Sequence, residues 1–217
     1  MRIHTIPEIE EVIDGKMEMC IFMKKLHGDV GLQEAVECLI PAEARMSRSH
    51  VFWKGLVVFQ NLKDVTVVQI LDEAYRHSFG NRFGGDLNGF SALSRMYCFW
   101  FPKIIPTDKY SKRFNLYLEA VGDSFEGPEV TETLCTIIEE ALKERTKAAR
   151  KAKAKALISE QFHLDDRKRP FWIQGGEWPM GVHSPMKYIS KCRKGEKVIF
   201  TFQDVDTLEK RDIIQYY

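Results

Sequence analysis

The sequence predicts an α/β chain of the α+β kind: a mostly antiparallel sheet flanked by two or three helices, a long helix over residues 128–158, and a small C-terminal β meander. Three observations carry this expectation. Short runs rich in aromatic and branched residues recur through the first 120 positions, bounded by Gly or Pro, as strands are. Between them lie segments whose apolar residues return every three or four positions, as on a helix with one buried face. The last fifty residues open on Phe171-Trp172-Ile173-Gln174-Gly175-Gly176-Glu177-Trp178-Pro179 and continue as strand, turn and strand.

In chain order, Met17 to Lys25 reads as a strand or short buried run closed by Gly28. Asp29 is placed to cap a helix carrying Leu32, Ala35, Val36 and Leu39, which stops at Pro41. Val51 to Phe59 is β-rich, with a bend at Gly55. Asp64 is placed to start a helix with Val67, Val68, Leu71, Ala74 and Tyr75 on one face, ending in the glycine-rich stretch from Gly80 to Gly89. Met96 to Phe101 and Phe114 to Val121 read as neighbouring strands, because Phe114, Leu116 and Leu118 alternate with polar positions. Gly127-Pro128-Glu129 opens the long helix, with proline at its first position. Its large apolar side chains end at Leu142, and alanines among basic residues continue to Ile158, so its second half is expected to leave the core. Asp165 to Pro170 reads as a linker, dividing an α+β domain over 1–165 from a β-meander unit over 170–217 packed on it. That meander has strands at Met186–Cys192, Val198–Phe202 and Asp212–Tyr216, with turns near Gly195 and Thr207.

Composition narrows the function classes. With 32 basic and 31 acidic residues the formal charge is +1, so no global field draws the chain to nucleic acid or to an anionic membrane. The five cysteines are scattered and form no CxxC pair, which suits a reducing compartment better than a disulfide framework or zinc ribbon. No apolar leader follows Met1, and no apolar run approaches the roughly 20 residues that cross a bilayer, so a soluble cytosolic protein is expected.

Motifs for chemistry are sparse. The glycines of FGNRFGGDLNGF follow a helix and lack the lysine of a phosphate loop, so they read as a flexible connection first and as a ligand loop second. No two of the six histidines stand at metal-clamp spacing, and no serine elbow occurs. Asp204 and Asp206 sit at a hairpin end, where solvated turn residues are ordinary. No cofactor, no metal and no catalytic residue is expected. Lys143 to Lys155 spreads cations around a helix without interleaved aromatics, which fits a solvated face or an acidic partner better than base stacking.

Gly175, Gly176, Trp178, Pro179, Gly181, Pro185, Met186 and Tyr188 together resemble the "GG…WP…G.PM.F" stretch of the YwqG-like family of bacterial proteins. They are similar also to short C-terminal modules of uncharacterised bacterial proteins encoded near polymorphic toxins. The likeness covers about the last 45 residues. The chain departs from it at Tyr188, where Phe or Leu is commoner, and at Ser190-Lys191-Cys192, which replace an acidic-glutamine strand. The resemblance implies no catalytic residues. It implies a non-enzymatic bacterial binding protein, an immunity protein that sequesters a toxin by steric occlusion. An aromatic-centred patch rimmed by charge would carry the contact: Trp172 and Glu177 with Lys147, Arg150 and Lys151. The alternative is a nucleic-acid-binding protein using the basic helix 143–155, and the third reading is a small hydrolase or transferase with dispersed catalytic residues.

Overall fold

The structure, a computed structural model, describes residues 4–40, 65–76, 82–125, 127–164 and 169–217. The strand expected over Val51–Phe59, the cap at Asp64, Gly80 and most of the linker fall outside the described residues. Among those described, eight α-helices precede one three-stranded antiparallel sheet, an α+β arrangement. By proximity of Cα atoms the chain divides into two compact units, Met1–Lys112 and Arg113–Tyr217. The C-terminal meander therefore shares its unit with two whole helices and most of a third, and the division falls well before the expected linker.

Among the described residues of the first unit every regular element is a helix. Its elements are α1 (Pro7–Ile13), α2 (Met19–Gly28), α3 (Val30–Glu37), α4 (Val67–Arg76) and α5 (Arg82–Trp100). Helix α6 (Lys109–Ala120) begins in this unit and carries the division. The strands expected at 96–101 and 114–121, and the strand alternative for 17–25, are corrected here: α2, α5 and α6 cover nearly all of these residues. Met19, Phe22, Met23 and Leu26 are buried along one face of α2, the spacing of a helix and not of a strand. Met96 and Tyr97 are buried in α5 while Phe99 is half exposed. On α6 the alternation misleads in the same way, since Leu116 and Tyr117 are buried and Leu118 faces solvent. Short apolar runs fit either period, and here the core selects the helix.

Polar side chains tie these helices together. Asp29 caps α3 by accepting from the Leu32 N–H at 3.0 Å, as its position demands. The Glu37 carboxylate accepts from the Val67 N–H at 2.7 Å, capping α4 from another helix. The Tyr97 hydroxyl accepts from the Ile6 N–H and donates to Glu10, both at 3.2 Å, and burial pushes this phenol up to about 12. The glycine stretch is not a loop in its described part: Gly84, Gly85 and Gly89 are interior to α5. A Cβ on Gly89 would stand 3.0 Å from Met19 Cε and 3.2 Å from Tyr75 Cδ2, so glycine there permits close packing.

In the second unit the helix expected over 128–158 is corrected to two. Pro128–Val130 is a 3₁₀ turn leading into α7 (Thr131–Ala141), and α8 (Lys147–Gln161) starts afresh. Thr146 adopts an extended conformation, and its hydroxyl accepts from the Ala149 N–H at 3.1 Å, making a new N-cap. The Arg150 Nε–H closes the break on the Glu144 carbonyl at 2.8 Å. The second half does not leave the core: Ala154, Ile158 and Phe162 are all buried.

The sheet has order β1 (Lys187–Lys194), β2 (Lys197–Gln203) and β3 (Lys210–Tyr216), with both pairings antiparallel. An irregularity between Tyr188 and Ser190 lets Tyr188 pair with Phe202 on the inner face. Along β2, Val198, Phe200 and Phe202 are buried and their neighbours are not, the alternation expected of a half-buried sheet. Gly195 takes φ +65° as first residue of the two-residue turn between β1 and β2, where a side chain would be strained.

Candidate functional site on the 170–186 segment

Two tryptophans organise this segment of the second unit. Trp178 is buried, and its indole N–H donates to the Met186 carbonyl at 2.8 Å. Its ring stacks on Phe125 at 5.5 Å and meets Phe162 and Phe202 edge-on at 4.9 and 5.3 Å. Such pairs add to plain area burial, because ring edges and faces attract. Trp172 packs at 4.9 Å from Phe200 and 6.0 Å from Phe202, and donates to the Ser124 carbonyl at 3.2 Å. Both indoles thus pack on the meander's aromatic face.

The backbone between and beyond them is pinned at five places. Gly127 lies against Trp178: a Cβ there would stand 2.5 Å from the Trp178 nitrogen and 2.7 Å from its carbonyl oxygen. Only a glycine lets these two backbone stretches approach so closely. Glu129 accepts from the Met180 N–H at 2.8 Å and from Arg211 at 2.9 and 3.1 Å. These contacts, the backbone N–H first, hold its carboxyl below the usual range. Asp204 accepts from the Val182 N–H at 2.7 Å with one oxygen, and from the Asp206 and Thr207 N–H groups at 2.8 and 3.2 Å with the other. Those donors depress its pKa, and they give this carboxylate a structural task at the β2–β3 turn. His163, at the end of α8 with φ +53°, bonds Ser184 Oγ at 3.0 Å.

The fifth pin is Gln215, fully buried in β3. Its amide oxygen accepts from the Ile173 and Gln174 N–H groups at 2.8 and 3.1 Å. Its NH₂ donates to the Gly175 carbonyl at 2.8 Å and to Glu177 Oε1 at 3.4 Å. One side chain therefore fixes the segment's turn.

A groove of about 440 Å³ opens along it, lined by Ser124, Pro170, Phe171, Trp172, Gln174, Gly175 and Gly176. Phe171 leaves 78% of its surface exposed at that groove. Phe171 stands two residues before Ile173, the first residue that Gln215 holds. The lining is aromatic and neutral, without an acid–base pair.

The expected partner-binding residues separate into two groups. Trp172 and Glu177 lie together on the pinned segment. Lys147 and Lys151 instead meet Glu119 at 2.7 and 3.6 Å, and Arg150 serves the helix break. Lys147 first, and then its neighbour, hold the Glu119 carboxyl below its ordinary value. Sequence reading left out Phe171, Gln215 and Gly127. The signal for Gln215 is its position, an uncharged polar residue in register with Val198 on the buried face; nothing local marks Gly127. Among the described residues no cluster of His, Cys, Asp or Glu could hold a metal, and no helix is long and apolar enough to cross a membrane. No family model, no curated protein and no solved structure matches the chain.

Proposed function

We propose that this chain is a non-enzymatic binding protein whose partner is another protein, and most concretely a cytosolic bacterial immunity protein that occludes a toxin. The observation that carries the binding reading is Phe171, largely exposed beside a groove and two residues before the backbone that Gln215 pins. Aromatic anchors dominate the energy of protein interfaces, and a preformed backbone spares the ordering cost of association. The toxin assignment rests on the resemblance of residues 175–188 and on nothing else. Nucleic acid on helix 143–155 ranks second, because Lys147 and Lys151 share a carboxylate within the protein. The test is co-expression with the product of the adjacent gene in a host whose growth that product arrests. Rescue, with co-elution of the two proteins, is expected, and Phe171→Asp should abolish both while keeping the wild-type melting temperature. Rescue that survives Phe171→Asp would move the interface elsewhere; a harmless neighbour that never co-elutes would remove the immunity reading.

A further inference from the structure

The outer face of the sheet carries a second patch of different chemistry. Register places Lys194, Lys197 and Tyr216 side by side across β1, β2 and β3. Lys194 and Lys197 are thus directly opposed on one face, with Cβ atoms about 5 Å apart by strand geometry, an arrangement that disfavours the sheet on its own. Neither forms an ion pair with any described residue. Lys191 and Arg193, on the same hairpin, pair with Phe200 and Val198 of the inner face, and their cations stand over the Phe200 and Tyr217 rings at 5.6 and 4.4 Å; Glu196 is the only carboxylate between 191 and 197. Tyr216 keeps 56% of its surface exposed at the end of the row. The next row, Cys192, Ile199 and Ile214, is apolar.

We propose that this face binds single-stranded nucleic acid, with Lys194 and Lys197 against phosphates and a base stacked on Tyr216. Charge complementarity selects a polyanion, since opposed lysines gain most from a shared anionic ligand. The ring selects among polyanions: bases stack on exposed aromatics, whereas an acidic peptide needs only the cations. A lipid surface is disfavoured because the hairpin tip, Gly195-Glu196, offers no large apolar side chain to insert. The surface shares no lining residue with the Phe171 groove, though the Tyr216 carbonyl accepts from Gln174 of that groove at 3.4 Å, and it uses none of helix 143–155.

The test is fluorescence anisotropy of the full chain with labelled oligo-dT of 20 nucleotides, run beside poly-glutamate and vesicles containing phosphatidylserine. Saturable binding to oligo-dT should weaken with salt, with a log–log slope no steeper than about −1.5 for two cations. Lys194→Glu with Lys197→Glu should reduce affinity by more than tenfold, and Tyr216→Ala by about tenfold. Lys153→Ala with Lys155→Ala should change it less than twofold. All substituted positions lie on the surface, and unchanged melting temperatures check the fold. Absence of oligo-dT binding overturns the proposal. So does equal binding of poly-glutamate with no effect of Tyr216→Ala, which would make the patch a site for an acidic protein, and so does tighter binding to the vesicles.

Discussion

The two ends of the 170–186 segment treat similar residues in opposite ways. At Phe171-Trp172, one ring lies in solvent and the other is partly covered, beside an open groove. At Trp178, the ring disappears between Phe125, Phe162 and Phe202. Composition alone does not separate them. The neighbours do: Gly127 admits the Trp178 backbone, and the Met186 carbonyl satisfies its indole. The buried end holds the fold, and its rigidity is what allows the other end to present a fixed aromatic surface.

The sharpest division should come from Trp178→Ala, which empties a fully buried ring site. A loss of about 3–5 kcal/mol is expected in denaturant unfolding of the whole chain. A loss under 1 kcal/mol would mean that the ring is not the keystone. Next comes Gly127→Ala. The added methyl would meet Trp178 backbone atoms at 2.5 and 2.7 Å, and backbone cannot rotate away as a side chain can. About 1–3 kcal/mol should be lost, together with a change in tryptophan fluorescence.

Gln215→Leu asks whether one amide fixes the groove. It strands the Ile173 and Gln174 N–H groups, at a cost of about 1–3 kcal/mol. Hydrogen exchange of those two amides should accelerate while the Val198 and Phe200 amides stay protected. Uniform acceleration would mean that the glutamine supports the sheet and not the turn.

The contrast between the two ends was partly legible in the sequence. Two tryptophans among Gly and Pro over residues 171–179 are plain in the sequence, and bulky rings with an N–H to satisfy call for a packing site, but which ring is buried depends on Phe125, Phe162 and Phe202 far along the chain. The three strands at the C-terminus were readable because their alternation is long and interrupted by Gly195. The strands expected at 96–101 and 114–121, and the strand alternative for 17–25, were not there, because a run of six to eight apolar residues satisfies both periods until a partner surface chooses. The break near Thr146 was hidden for a different reason. Ala, Lys, Arg and Glu on both sides all favour helix, so a lone capping threonine was the only local sign. The pins of the groove were illegible since Gln215 and Gly127 act across tens of residues.

A smaller effect concerns pH. The N–H donors from Val182, Asp206 and Thr207 lower the Asp204 pKa in the folded state. Its contribution to stability is therefore complete above the unfolded value near 4 and is lost as pH falls through the lower folded value. The melting temperature should decline between about pH 5 and pH 3, and Asp204→Asn, which cannot ionise, should flatten that decline. An unchanged slope would leave the acid response to other carboxylates, such as Glu119 and Glu129, whose pKa values are also lowered.

The most direct measurement replaces Phe171 with a photo-crosslinking phenylalanine in the full chain, expressed in its own cells, with Leu208 as an equally labelled and exposed control. Binding through the presented end predicts one discrete protein adduct at position 171, absent at position 208, in a chain that melts like the wild type. No adduct at 171, or the same adducts from both positions, would contradict it.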